Sequence, residues 1–365
     1  MMQKYLVIGL MSGTSLDGVD LAYTEFVFDK GSWSFNLLAA KSYEYSTSWR
    51  LKLNNAMQLD GLGIHLLDIE LAEYFSELIN GFRKDYSIEN LDFISSHGHT
   101  IFHQPEKKLS LQIGAGQILA ANCGVDVVCD FRKQDVAMGG QGAPLVPIGD
   151  KHLFANYHYC LNIGGIANVS FDVNGKRVAY DVCAANMVLN HYAELLNKTY
   201  DEDGTIAASG SCDFGLLNQL NNLNYYTLPT PKSLGKEMIY AEVIPLIESY
   251  DISIADKLNT FCEHIAMQIA SIIPVTIPIA IGNQSPVTMI ITGGGAYHQH
   301  LINRIKQHTQ AEIVIPSKEI IEFKEAIIFA FLGVLRMRGE NNCLASVTGA
   351  KEDHCSGIIF NMLIC

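Results

Sequence analysis

The amino-acid sequence predicts an α/β protein built from two similar lobes. Its 365 residues exceed what one ordinary core holds and suit two domains of typical size. A strand, a glycine-containing turn and a second strand occur near the N-terminus, and the same arrangement returns at residues 159–171. Strands and helices alternate after each hairpin, as they do in α/β folds. We therefore expect the second half of the chain to repeat the organisation of the first.

The first half is expected to contain a hairpin, one helix and two buried strands. Strand-forming apolar residues flank a polar turn at residues 12–15, whereas apolar residues further along recur at helical spacing. The predicted elements are strands over residues 5–10 and 19–28, a helix over 63–82, and strands over 91–94 and 125–129.

The second half is expected to follow the same plan. Its predicted elements are strands over residues 159–163, 166–171 and 178–180, helices over 187–196 and 254–273, a strand over 287–292, a helix after Gly295 and a helix over 323–338. The stretch 225–231 contains two prolines, which oppose helix formation, and it has the character of a linker.

Charge and cysteine content exclude several classes of function. Only 25 Lys and Arg residues stand against 38 Asp and Glu, and the net charge of −13 argues against nucleic acid or an anionic membrane as partner. The nine cysteines form no CxxC pair and have no metal-ligand spacing, as expected of reduced thiols in the cytosol. The chain has no long apolar run and no signal peptide at its start. We therefore expect a soluble, cytoplasmic protein.

Three glycine-containing turns carry the candidate phosphate-binding chemistry. In the first, residues 12–15 offer backbone N–H groups and hydroxyls that can surround a phosphate, and Asp17 and Asp20 can hold Mg²⁺ through water. The second turn contains residues 164–165. The third, residues 293–295, ends a strand and opens a helix, whose first amides favour anions. A single turn of this kind mostly serves geometry, whereas three in one chain indicate a phosphate ligand.

Six motifs resemble those of the anhydro-N-acetylmuramic acid kinase family, and they occur in the family's order from residue 9 to about residue 350. They read MSGTSLDGVD at 11–20, SHGHT at 96–100, GQGAPLVP at 140–147, NIGGIAN at 162–168, PKS at 231–233 and VTGA at 347–350. The resemblance implies the architecture of actin, hexokinase and the Hsp70 chaperones, with two duplicated actin-like (ribonuclease H-like) lobes and the active site in the cleft between them. The implied lobes are residues 1–131 plus about 346–365, and residues 132–345.

The resemblance also implies a reaction. Water adds at C1 of 1,6-anhydro-N-acetylmuramic acid while O6 takes the γ-phosphoryl group of ATP, which gives N-acetylmuramic acid 6-phosphate and ADP. Asp181 is implied as the general base that activates this water, although an Asp at a strand end can instead cap the helix that starts near Met187. The family segment Asp-Thr-Gly-Pro-(Gly/Ala)-Asn reads DVCAAN at 181–186 here, so only its end residues match.

The ligand-binding residues follow from the same resemblance. ATP and Mg²⁺ are assigned to Gly13, Thr14, Ser15, Leu16, Asp17, Gly18, Val19, Asp20, Gly164, Gly165, Gly293, Gly294, Gly295 and Glu325. The sugar is assigned to His97, Arg132, Asn186 and Lys232. Arg grips carboxylates with two hydrogen bonds and suits the lactyl group of the sugar.

Several of these residues have an alternative role. Glu325 can serve as a favourable charge in the first turn of its helix, and Arg132 can form a surface ion pair with Asp130 or Asp135. Lys232 can be a solvated loop charge. The spacing of the histidines in the stretch 97–103 also occurs in zinc sites, but it fits pocket-lining or hydrogen-bonded core histidines better.

Two other classes of function compete with the anhydro sugar kinase. One is a non-catalytic actin-like module that binds nucleotide or muropeptide fragments, and the other is a kinase of an ordinary reducing amino sugar. In each case the partner is a small molecule, with no nucleic acid and no membrane, and the resemblance implies a homodimer.

Overall fold

The strands form two separate sheets that repeat one topology. The computed structural model describes residues 2–273 and 286–362. Its strands are, in chain order, β1 (Gln3–Ser12), β2 (Gly18–Asp29), β3 (Ser32–Glu44), β4 (Phe93–Gln104), β5 (Leu109–Ile113), β6 (Asp126–Cys129), β7 (Tyr159–Ile163), β8 (Ile166–Val173), β9 (Lys176–Ala184), β10 (Thr288–Thr292), β11 (Glu312–Val314) and β12 (Ile358–Phe360).

The first sheet has the order β12-β6-β4-β1-β2-β3, with β5 paired to β4, and the second has the order β11-β10-β7-β8-β9. In both, three consecutive strands pair antiparallel and two later strands join parallel beside the first of them. This repeat confirms the predicted duplication of an α/β lobe.

The helices of the described residues are α1 (Thr47–Asn54), α2 (Gly61–Asp85), α3 (Gly116–Cys123), α4 (Lys133–Ala137), α5 (Pro147–Leu153), α6 (Asn186–Glu194), α7 (Thr205–Ser209), α8 (Phe214–Asn221), α9 (Lys236–Met238), α10 (Ile244–Glu248), α11 (Ile254–Ala270), α12 (Gln299–His308), α13 (Lys318–Arg338) and α14 (Ala345–Thr348). None of them combines the length and apolar composition needed to cross a membrane. The predicted helices over 63–82, 187–196 and 254–273 are confirmed as α2, α6 and α11. Residues 274–285, which follow the last of these helices, lie outside the described part of the chain.

The chain divides into two units, each with its own hydrophobic core. Unit 1 comprises Met1–Phe154 and Phe323–Cys365, and unit 2 comprises Ala155–Glu322. In unit 1, α2 turns a stripe of apolar side chains at helical spacing toward the sheet, including Leu71, Phe75 and Ile79. In unit 2, α11 does the same from its Ser253 cap onward.

The unit boundaries differ from the predicted ones, which lay at residues 131/132 and 345/346. Residues 132–154 and 323–345 belong to unit 1 because α5 and α13 pack there. A Cβ atom on Gly149 of α5 would lie 2.5 Å from Ile328 of α13, and Lys324 pairs with Asp150 at 2.8 Å. On β1, a Cβ atom on Gly9 would lie 2.0 Å from the carbonyl oxygen of Ala326, so β1 also touches this helix directly.

The stretch 225–231 is not a linker, because it lies inside unit 2. Residues 224–227 form a 3₁₀ turn whose Tyr225 side chain is buried. The Tyr225 hydroxyl donates a hydrogen bond to the carbonyl oxygen of Asp181 at 2.6 Å. The Tyr226 hydroxyl lies 2.8 Å from His264 Nε2 of α11, so Tyr225 fixes the segment against β9 and Tyr226 fixes it against α11.

Candidate active site

Asp181 lies within β9, beside an irregularity in its pairing with β8. Asn168 pairs with Asp181 and Ala167 with Cys183, so Val182 is the extra residue of a β-bulge. The Asp181 N–H donates to the Lys232 carbonyl at 3.0 Å. One carboxylate oxygen, Oδ2, accepts hydrogen bonds from the Leu234 N–H at 2.8 Å and the Ser233 hydroxyl at 3.1 Å. The segment 232–234 therefore holds the carboxylate in one orientation.

The environment of Asp181 favours proton uptake. Burial raises the pKa of Asp181, and the hydrogen bonds from Leu234 and Ser233 oppose that rise. Its second oxygen, Oδ1, makes no hydrogen bond to any described residue. A partly buried carboxylate with a raised pKa and one unused oxygen is suited to accept a proton from water.

Asp181 does not cap helix α6, so the alternative role considered for it is wrong. The residue at the N-cap position is Ala185, which has no capping side chain. The first amides of the helix bond instead to the second glycine turn, since the N–H groups of Ala185 and Met187 donate to Gly165 O and that of Asn186 to Gly164 O. The turn that follows β7 thus caps the helix that follows β9.

Lys232 is packed against aromatic rings and is not a solvated loop charge. Its Nζ donates to the Tyr225 carbonyl at 2.9 Å and lies 4.4 Å from the centre of the Tyr225 ring and 5.6 Å from that of Tyr226. Burial lowers the pKa of Lys232. The ammonium group is thus positioned in the segment that also holds the Asp181 carboxylate.

The first glycine turn borders an acidic cavity in unit 1. Gly13, Ser15 and Asp17 line a cavity of about 240 Å³ together with Asp20, Glu44 and Glu325. Val19 is fully buried, and a Cβ atom on Gly18 would lie 2.3 Å from Tyr43 O, so both serve the packing of β2.

Glu325 is the residue that helix α13 contributes to this acidic cavity. Helix α13 begins at Lys318, which places Glu325 about two turns inside it, so the first-turn role considered for this residue is wrong. Burial raises the pKa of Glu325, the charges of Arg132 and Lys324 lower it, and the charge of Asp20 raises it. A bound cation would relieve this repulsion between carboxylates.

Arg132 is held by His97 on the inside of unit 1. Its Nε and Nη2 atoms lie 3.1 and 2.9 Å from His97 Nε2, and its Nη1 donates to Gly142 O at 2.7 Å. Burial lowers the pKa of Arg132 to about 10, so the guanidinium stays charged at neutral pH. Asp130 Oδ2 forms its ion pair with Lys133 Nζ at 2.8 Å and not with Arg132, the partner considered for it from the sequence.

His97 acts on Arg132 from within the core. The ring is almost fully buried, its Nδ1 lies 2.9 Å from Gly98 O, and burial with the Arg132 charge lowers its pKa well below the usual range. The neutral ring therefore donates through Nδ1 and accepts from Arg132 through Nε2. His97 therefore holds the Arg132 side chain, and its contact with the substrate stays a prediction.

The other two histidines considered for zinc also have separate partners. His99 Nδ1 lies 2.8 Å from Ser12 Oγ, which in turn lies 2.7 Å from the Tyr45 hydroxyl. His103 Nδ1 lies 3.3 Å from Ser110 Oγ. The three histidines are thus hydrogen-bonded individually, and among the described residues they form no common metal-binding group.

The second and third glycine turns meet in unit 2. Thr292 at the end of β10 pairs with Asn162 of β7, and Gly294 and Asn186 line a cavity of about 490 Å³ with Asp203, Lys318 and other residues. Cavities of this size hold small ligands.

The three glycines of the third turn have different reasons to lack a side chain. A Cβ atom on Gly293, whose φ is +81°, would lie 2.7 Å from Ile163 O, and one on Gly295 would lie 2.2 Å from the Ile163 side chain. Both are required for packing on β7. Only Gly294 has room for a Cβ atom, and it alone of the three faces the cavity.

The sequence model of the family described as anhydro-N-acetylmuramic acid kinase matches residues 5–362. The chain belongs to this family. An anhydro-N-acetylmuramic acid kinase of Vibrio cholerae is 34% identical over 379 residues, covering 99% of both chains, and one of Aliivibrio fischeri is 33% identical, covering 98% of this chain and 99% of the other. Among solved structures, component A of the (R)-2-hydroxyglutaryl-CoA dehydratase of Acidaminococcus fermentans has a TM-score of 0.44 at 13% identity, over 89% of this chain and 96% of that one.

At residues 182–185 the sequence departs from the motif of the anhydro-N-acetylmuramic acid kinase family, and the structure shows where these residues lie. These four residues are at most 4% exposed, so their side chains face the core of unit 2. Asp181 and Asn186, the two ends that match, are the partly exposed ones. The unusual residues therefore alter packing behind the candidate base.

The sequence-based predictions did not include Glu44 and Ser233. Glu44 ends β3, over which exposed and half-buried residues alternate, and the alternation of polar and apolar residues at 32–37 was a sequence signal for this strand. Ser233 was present in a recognised motif, but its hydrogen bond to Asp181 depends on a contact across 52 residues of chain.

Proposed function

We propose that the protein uses ATP to phosphorylate 1,6-anhydro-N-acetylmuramic acid at O6 while water opens the anhydro bridge at C1. The products are N-acetylmuramic acid 6-phosphate and ADP. Family membership over nearly the whole chain supports the kinase activity. The observation that carries the hydrolytic step is the Asp181 carboxylate, which is oriented by Ser233 and Leu234 and has one oxygen left for water.

In the proposed step, Asp181 Oδ1 accepts a proton from the attacking water. The water oxygen bonds to C1, the C1–O6 bond breaks, and O6 takes the γ-phosphoryl group, so no separate acid has to protonate the leaving oxygen. The raised pKa of Asp181 makes the carboxylate a stronger base than an exposed one. Its fixed hydrogen bonds keep Oδ1 in place during the transfer.

The residues of unit 1 fit a magnesium ion. Mg²⁺ prefers oxygen ligands and usually retains several waters, and the cavity beside the first glycine turn offers the carboxylates of Asp17, Asp20, Glu44 and Glu325. Asp17 or Asp20 would hold the ion through water. When bound, it would supply positive charge to the phosphates of the nucleotide.

The cavity of unit 2 is proposed to take the nucleoside. Its open glycine, Gly294, allows a flat ring to approach the backbone, and the carboxylates of Glu202 and Asp203 can accept hydrogen bonds from ribose hydroxyls. Asn186 lines the same cavity but donates from Nδ2 to Ile163 O at 3.2 Å, so one of its donors is already used.

Arg132 is proposed to bind the lactyl carboxylate of the sugar. An Arg side chain has five N–H donors, and three nitrogen contacts are made to His97 and Gly142. One N–H on each terminal nitrogen is left, which is the arrangement that grips a carboxylate with two hydrogen bonds. Lys232 is proposed as a second cation for the sugar.

One assay tests the proposed function. Purified protein is mixed with Mg-ATP and either the anhydro sugar or N-acetylmuramic acid, and ADP and sugar phosphate are measured. We expect both products from the anhydro sugar. No ADP from either sugar would leave only the non-catalytic module, and product from the open sugar alone would indicate a kinase of reducing amino sugars.

The oligomeric state and location remain predictions. A homodimer would give twice the chain mass in sedimentation velocity, and a cytoplasmic protein would stay with the cytosolic fraction of disrupted cells.

A further inference from the structure

Asp135, Cys343 and His354 form a buried group of metal-ligand side chains in unit 1. They are 0%, 1% and 6% exposed, and their ligand atoms all lie within 4.8 Å of one another. The proposed phosphoryl transfer uses none of the three.

The backbone already holds these side chains together. Cys343 and His354 face each other in an isolated antiparallel bridge, with N–H to O distances of 3.0 and 3.1 Å in the two directions. The Asp135 carboxylate is fixed by the Thr348 hydroxyl at 2.7 Å and by the Gly142 N–H at 2.6 Å. An ion would therefore meet a preformed set of ligands.

The orientation of His354 points to a cation. Its Nδ1 lies 3.0 Å from Glu352 O, and because a carbonyl only accepts, Nδ1 carries the proton. In the neutral ring the buried Nε2 then presents a lone pair, and it makes no hydrogen bond to any described residue. The nearest carboxylate oxygen, Asp135 Oδ1, lies 3.6 Å away, which is too far for a hydrogen bond. Nε2 and the carboxylate oxygen face each other at this distance, and a positive charge between them, either a proton on Nε2 or a bound cation, stabilises the arrangement.

We propose that Asp135, Cys343 and His354 bind one transition-metal ion of the Zn²⁺ class. Tetrahedral zinc with bonds of about 2.0–2.3 Å places its ligand atoms roughly 3.3–3.6 Å apart, close to the separation of His354 Nε2 and Asp135 Oδ1. One nitrogen, one sulfur and one oxygen suit zinc, whereas Mg²⁺ requires oxygens. The fourth position would hold water.

Zinc binds cysteine as the thiolate. The thiolate of Cys343 and the carboxylate of Asp135 would together balance the two positive charges of the ion.

The ion would also stabilise the loop beside Arg132. Asp135 accepts from Gly142 N–H, and Gly142 O accepts from Arg132, so the metal ligand and the proposed carboxylate-binding residue share one loop. This consequence rests on the proposed function, whereas metal binding itself does not.

The test uses the full-length protein stripped of metal with a chelator and then titrated with Co²⁺ or Zn²⁺. We expect about one ion per chain by mass spectrometry, and a sulfur-to-cobalt charge-transfer band in the near ultraviolet. Cys343→Ser should abolish the band, and His354→Gln should weaken binding by more than about 100-fold. Cys355→Ser is the matched control, because this neighbouring, partly exposed cysteine lies outside the group.

Two results would overturn the proposal. One is wild-type protein that binds no Co²⁺ or Zn²⁺ above the level of the double variant C343S/H354Q. The other is a charge-transfer band that survives in Cys343→Ser and disappears in Cys355→Ser. If a variant fails to fold, thermal unfolding of the wild type decides: Zn²⁺ but not Mg²⁺ should raise the melting temperature, and no rise with Zn²⁺ counts against the site.

Discussion

The substitution Asp181→Asn tests the candidate base with little change in shape. The Asn side chain can keep its oxygen at the position of Oδ2 and accept from the Leu234 N–H and the Ser233 hydroxyl. Its amide nitrogen then takes the place of Oδ1, where it donates to water and cannot accept a proton. The orientation of the segment 232–234 is preserved while the basic oxygen is lost.

The expected magnitudes of the two effects differ. Loss of a general base lowers the rate by about 10²–10⁴-fold, which corresponds to roughly 2.7–5.4 kcal/mol of transition-state stabilisation. Stability should change by no more than about 1 kcal/mol, because two hydrogen bonds lose their charge assistance while the penalty of burying a charge disappears. A residue needed only for folding would show the opposite pattern.

The pH dependence separates the base from a bystander. Burial raises the pKa of Asp181, so the acid limb of kcat/KM should lie above the usual Asp range, with activity lost as pH falls through it. Ser233→Ala removes a hydrogen bond that lowers this pKa, so the limb should move to higher pH. The assay is ADP release from the anhydro sugar over a pH series, with ATP binding measured separately by calorimetry. Full activity in Asp181→Asn, or a limb unmoved in Ser233→Ala, would refute the reasoning.

Three further predictions concern the other parts of the site. Arg132→Lys should raise the KM for the anhydro sugar about 10- to 100-fold, because one of two charge-assisted hydrogen bonds is lost, and an unchanged KM in a sugar titration would remove Arg132 from the site. Asp20→Asn should raise the Mg²⁺ concentration for half-maximal activity and lower the pKa of Glu325, visible as a shifted pH profile; an unaltered Mg²⁺ titration would contradict this. Gly293→Ala should reduce the free energy of unfolding in urea by about 2–4 kcal/mol, from its positive φ and a contact with the backbone of β7. Gly294→Ala should change it by less than about 1 kcal/mol, and equal losses would show that the contacts at Gly293 do not matter.

Sequence patterns within short segments correctly predicted the hairpins and helices whose formation depends on neighbouring residues. The hairpins β1–β2 and β7–β8 follow from apolar runs around a glycine turn, and α2 and α11 follow from helical spacing. The position of Asp181 followed from a motif. In each case the signal lies within a few residues of the structure it predicts.

Other features depend on contacts that no local pattern contains. The bulge at Val182 and the role of His97 as a partner of Arg132 both arise where separate segments meet. The stretch 225–231 was wrongly predicted to be a linker because it contains two prolines. The buried side chain of Tyr225 instead anchors it inside unit 2. The group at Asp135 joins a helix residue to two residues more than two hundred positions later, so cysteine spacing gave no indication of it.

The close approach of β1 to α13 bears on how the family's sequences can change over evolution. Gly9 has no space for a side chain because Ala326 O occupies it, and the same helix carries Glu325. A relative that had lost Glu325 would still need this glycine to keep the helix in place. Retention of Gly9 in a distant sequence therefore indicates inheritance of the fold, whereas retention of the proposed site residues Asp181 and Glu325 would be the better guide to the proposed reaction.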